Sequence, residues 1–148
     1  MRKDRLRPQL WNPVRDNGLM DARFAHLKQA LAAEPSLRLA LVFGSVASGS
    51  ATPDSDIDVA VLCDRSLSPS DKMRLIEVIT QASGRAVDLI DLSTAGQPLL
   101  GQILRDGQRI VGSSAALAQL ATRNALDAQD FLPYVQRLLA RRRQAWIG

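Results

Sequence analysis

Aromatic residues make up only 4% of the 148-residue chain: two Trp, one Tyr and three Phe. So sparse a set offers no evident platform for stacking bases, and direct nucleic-acid binding is not the favoured expectation. There is one cysteine, Cys63, so neither an internal disulfide nor a cysteine-anchored zinc site forms. Its expected role is packing at a strand end. One histidine, His26, excludes a His-rich metal centre and puts any His-dependent triad far from the other motifs. A helix surface is its expected setting. No apolar run approaches membrane-spanning length. The basic start (Arg2, Lys3, Arg5, Arg7) lacks the apolar stretch of a signal peptide, so a cytoplasmic location is expected. Internal repeats and low-complexity segments are absent.

What remains is the composition of an ordinary globular domain, 46% hydrophobic and 23% charged, long enough for one real core. The net charge of +4 is uneven, with positive residues gathered at 2–15 and again at 137–143. Basic ends suit an acidic partner or nucleic acid, but the plainer reading is solvated arms and helix faces. Residues 1–18, with two prolines and Trp11, read as a loose arm. Residues 19–112 read as the central domain. Residues 113–148 read as a helical extension that packs on the domain or on a partner.

Strands and helices alternate through the central part. Phe24, Leu27 and Leu31 recur at helical spacing over 21–33, with Asp21 placed as the cap. A buried strand is expected at 37–43, one helical turn at 46–50, a loop at 51–55 and a second strand at 56–62. Ser68-Pro69-Ser70-Asp71 opens a helix whose apolar stripe includes Met73, Ile76 and Ile79, closed by Gly84. A third strand follows at 86–92, then a short helix around Leu99–Leu104 stopped by Gly107, and a last strand at 108–111. From Ser114 the pattern is helical, interrupted at Pro133. The class is α/β (α+β).

The chemistry concentrates between Leu39 and Leu62. Asp56 and Asp58 share one face of a strand, their Cα atoms roughly 6–7 Å apart, while Ile57, Val59 and Val61 take the other face. Two acids on an otherwise apolar strand repel each other unless a cation sits between them. Gly44-Ser45, directly after Leu41-Val42-Phe43, offers backbone N–H groups and a hydroxyl to phosphate oxygens. Each feature alone is commonly structural. Together they suggest nucleotide chemistry with hard cations.

Gly44-Ser45, ten residues, then Asp56-Ile57-Asp58 resembles the signature of the DNA polymerase β-like nucleotidyltransferase superfamily. The similarity covers roughly residues 37–112, and its short spacing is most like that of the minimal nucleotidyltransferases, many of which pair with a small helical HEPN partner as its antitoxin. The resemblance implies a small mixed sheet with helices packed on one face, and two magnesium ions held by Asp56, Asp58 and a third acid. For the third acid it favours Asp88 over Asp91, which lies on the opposite strand face where a capping or loop role is expected. It implies nucleotide contacts from Gly44 and Ser45, with Ser55 orienting the loop or serving only the turn. The implied reaction moves AMP from ATP to a hydroxyl, with release of pyrophosphate, on a tyrosine of a cognate HEPN toxin. Alternative acceptors are an aminoglycoside-like small molecule or an RNA end; a further alternative is a contact-only antitoxin with a vestigial site. The chain departs from the pattern once. Many relatives carry an arginine in an Ala-Arg-Gly context after Gly-Ser, where this chain reads Ala47-Ser48-Gly49, leaving phosphate or acceptor contacts to another basic residue.

Overall fold

The computed structural model describes residues 24–147. The arm at 1–18, Trp11 and the Asp21 cap lie outside the described residues. Element order is α1 (Ala25–Ala32), β1 (Leu37–Phe43), α2 (Gly44–Ser48), β2 (Ile57–Cys63), α3 (Pro69–Ser83), β3 (Val87–Asp91), α4 (Leu99–Asp106), β4 (Gln108–Gly112) and α5 (Ser114–Ile147). The four strands form one mixed sheet in the order β3-β2-β1-β4. β1 runs antiparallel to β2 and β4, whereas β2 and β3 are parallel, as the α3 crossover between them requires.

The apolar pattern decides which strands are central. Leu39, Ala40, Leu41 and Val42 are all fully buried, so β1 is covered on both faces, as its unbroken apolar run predicts. Ala40, Val42, Ile57, Val59 and Val61 pack with Leu27 and Leu31 of α1 and Leu75 and Ile79 of α3. On the opposite face Leu39, Leu41 and Ala60 meet Leu100, Ile103 and Leu104 of α4 and Leu117 and Leu120 of α5. The class is the expected one, but helices cover both faces rather than one. The amphipathic α4 and the start of α5 bury the second side of β1, which otherwise would lie bare. Each such Leu or Ile contributes about 1.5–3 kcal/mol by leaving water.

Local signals set the ends. Ser68 Oγ accepts from the Asp71 N–H and Asp71 Oδ2 accepts from the Ser68 N–H, a reciprocal cap on α3 with Pro69 in the first turn. Gly84 closes that helix at φ +68°. The stripe of α3 departs from expectation at Met73, which is 73% exposed; Ile79 is buried and Ile76 packs against the core as expected, and Leu75 joins them. The helical turn after β1 starts at Gly44, two residues earlier than expected, and β2 starts at Ile57, leaving Asp56 just before the strand. Pro133 does not break α5, which continues through it. Cys63 is free and buried at the end of β2, and His26 is exposed on α1. No helix among the described residues is long and apolar enough to cross a membrane.

Candidate active site

Three neighbouring strands bring the site residues together. In the antiparallel ladder Phe43 is opposite Asp58, and in the parallel ladder Asp58 is opposite Asp88. Asp58 therefore stands between the Gly44-Ser45 turn and the third acid. Asp56 lies one pleat earlier, exposed at the mouth of β2. Burial, then the Asp88 charge, then the Asp56 charge push the Asp58 carboxyl above its ordinary range. Hard oxygen donors of this kind fit magnesium. No group of three or more His, Cys, Asp or Glu among the described residues is gathered tightly enough to hold a metal.

Gly44 is required here for a reason the sequence does not display. Its φ is +70°, and a Cβ on it would stand 2.1 Å from Asp58 Oδ2. The close approach is made by the acid itself. Ser45 donates and accepts nothing through its hydroxyl among the described residues, while its carbonyl accepts from Ser50 N–H, Ala51 N–H and Ser48 Oγ. Ser48, at the departure from the family pattern, spends its hydroxyl on that carbonyl and on Ser50. Ser55 is placed inside the loop: its hydroxyl accepts from the Thr52 N–H at 2.9 Å and pairs with Thr52 Oγ1. Ordering the lead-in to Asp56 is what that geometry does.

Residues 25–116 match the family described as Polymerase beta, Nucleotidyltransferase. The chain belongs to this family. Protein adenylyltransferase MntA of Shewanella oneidensis is 34% identical over 79 residues, 53% of this chain and 57% of that protein. The match thus spans little more than half of that relative's length. In a crystal structure of a toxin–antitoxin with AMP-PNP, one chain superposes with a TM-score of 0.70 at 26% identity, covering 78% of this chain and 94% of that one. A structure of tri-AMPylated Shewanella oneidensis HEPN toxin in complex with MNT antitoxin gives a TM-score of 0.67 at 24% identity over 81% and 95% of the two chains, a likeness of fold.

The two acids of β3 part company within this family fold. Asp88 is exposed on the Asp58 side. Asp91 is 7% exposed and holds the loop after the strand, accepting from the Leu67 N–H, the Ser93 N–H and Ser93 Oγ at 2.7–2.9 Å. Burial alone would raise its pKa, but those hydrogen bonds, with Lys72 nearby, hold it below the ordinary range. Asp91→Ala is expected to cost about 2–3 kcal/mol in urea unfolding, because two backbone donors lose a buried acceptor. A depressed carboxyl stabilises above its unfolded pKa, so this loss is full at neutral pH and shrinks as pH falls through the folded value.

Two basic residues near the site carried no recognisable signal in the sequence. Arg85, two residues before β3, donates to the Thr52 and Ser55 carbonyls at 2.8 Å each and pins the loop before Asp56. Arg105 of α4 lines a cleft of about 720 Å³ together with Gly44, Ser48, Gln102 and Gln108. It is the cation among the residues lining that cleft, which also include Asp106, on the side where Ser48 stands. Gln108 donates to the Ala47 carbonyl at 3.0 Å. Both arginines reach the site through distant sequence, so neither spacing nor periodicity could reveal them.

Proposed function

We propose that this chain transfers AMP from ATP to a hydroxyl of a cognate HEPN toxin, a tyrosine in the reading favoured here, and neutralises it. The observation that carries this reading is the alignment of Asp58 and Asp88 in register beside Gly44, on a chain 34% identical over 79 residues to a protein adenylyltransferase. The structural neighbour with AMP-PNP supports ATP as the nucleotide. Magnesium, two ions in this proposal, would neutralise charge on the phosphates and on the acceptor oxygen. Asp56 and Asp58 would hold both ions, and Asp88 the one nearer the acceptor. The acceptor oxygen bonds to the α-phosphorus, the bond to pyrophosphate breaks, and Asp88 steers the departing hydroxyl proton. Gly44 and Ser45 hold the phosphate tail, and Arg105 supplies the cation that position 48 lacks.

Neutralisation by contact alone is the second reading. It draws on Ala47-Ser48-Gly49, where the Ser48 hydroxyl is spent within its own turn. ATP labelled on the α-phosphate, incubated with magnesium and the cognate toxin, separates the two. Label is expected on the toxin, and the Asp56→Ala/Asp58→Ala double variant is expected to abolish both labelling and protection. Binding without labelling, with protection retained by the double variant, would replace transfer with steric neutralisation.

A further inference from the structure

The face of α5 that packs on the sheet continues where the domain ends. Leu117 and Leu120 are buried in the core, and Asn124, a turn further on, takes a hydrogen bond from Gln97. The same stripe runs on through Ala128, Phe131, Val135 and Leu138, at spacings of three and four. Beside it Leu132, Tyr134 and Leu139 are 61%, 54% and 55% exposed, and Leu138 itself is 41% exposed. From Leu126 to Leu139 the helix carries apolar side chains on and beside this face for roughly 20 Å. An apolar stripe of that length demands a covering surface.

Charge along the segment identifies the cover. Asp127 and Asp130 come first, and Arg137, Arg141, Arg142 and Arg143 come last, so polarity reverses along one helix. An antiparallel copy presents the opposite order. With a twofold axis at position 133, Phe131 packs against Val135 of the second copy and Ala128 against Leu138, while Leu132 meets its own equivalent. The same register sets Asp127 against Arg141 of the second copy, twice by symmetry, on one flank of the seam. A parallel pairing would set Asp127 against Asp127 and Arg141 against Arg141. Asp127 already has Arg123 at 3.6 Å, but that guanidinium is also committed to the Ser93 and Ala95 carbonyls. Pro133 falls on the helix face opposite the stripe, so its missing N–H and its ring stay out of the seam. We propose that residues 126–145 of α5 pair antiparallel with the same segment of a second copy of this chain. This inference is independent of the transfer reaction.

Sedimentation equilibrium of the full chain tests it. The expected species has twice the 16.1 kDa chain mass, and Phe131→Glu returns it to a monomer with an unchanged circular dichroism spectrum. Asp127→Arg and Arg141→Asp are each expected to weaken the dimer about tenfold, since each change places like charges opposite twice. Together they restore it. A wild-type monomer at tens of micromolar overturns the proposal, as does a Phe131→Glu chain that stays dimeric or a double exchange that fails to recover the dimer. If the chain is monomeric and Phe131→Glu instead blocks toxin binding, the stripe belongs to the toxin and the proposal falls.

Discussion

Gly44→Ala is expected to cut nucleotide transfer by at least about a hundredfold, with the domain still folded. A Cβ at this position needs the space that Asp58 Oδ2 occupies, 2.1 Å away, and also meets the unfavourable backbone at φ +70°. One of the two must move. β2 is fixed by ladders on both sides, so the carboxylate swings out rather than the strand. For a group proposed to hold metal, a displacement of about 1 Å is enough for a loss of this size. Single-turnover transfer at saturating ATP measures it, and a variant with near-normal rate would remove Asp58 from the reacting centre.

Asp58→Asn is expected to move activity and stability in opposite directions. Transfer should fall by about a thousandfold, the scale of losing one preorganised electrostatic group. The metal-free fold should gain. In the native chain burial, Asp88 and Asp56 raise the Asp58 pKa, so the folded state holds its proton longer than the unfolded chain does. Stability from this group is full below the ordinary carboxylate range and is lost as pH climbs through the raised value. At neutral pH the charged form is a burden that asparagine removes, and the thermal midpoint in chelator should rise by about 2–4 °C. Magnesium should raise the midpoint of the native chain more than that of the variant. A variant less stable than the native chain in chelator would show that the acids are already compensated.

Much of this architecture was legible before any coordinates, because the relevant signals are local. Ser68-Pro69-Ser70-Asp71 and Gly84 mark the ends of α3 by short-range hydrogen bonding, and the apolar run of 37–43 declares a strand covered on both sides. Asp56, Asp58 and Gly44 were visible as a spacing. Strand parity put Asp88 and Asp91 on opposite faces, but the preference for Asp88 came from the family resemblance alone; the hydrogen bonds that hold Asp91 in its loop depend on contacts with Leu67 that parity does not reveal. Features that depend on approach between remote segments were hidden. Helices on the second face of the sheet, the intimate fit of Gly44 to Asp58, and Arg105 beside Ser48 arise from packing that no window of sequence contains. Met73 shows the complementary error: an apolar residue three positions before Ile76 is assigned inward, whereas the buried stripe that includes Ile79 runs through Leu75 instead.

Arg85 links the lead-ins of both acid-bearing strands. It sits one residue before the Ala86 carbonyl that accepts from the Ile57 N–H, and its guanidinium grips the Thr52 and Ser55 carbonyls. A planar guanidinium suits this clamp, because its fixed fork of donors meets two carbonyls at once. The approaches to β2 and β3 are thereby held as one unit, so a change that frees Arg85 loosens the lead-ins to both acids together.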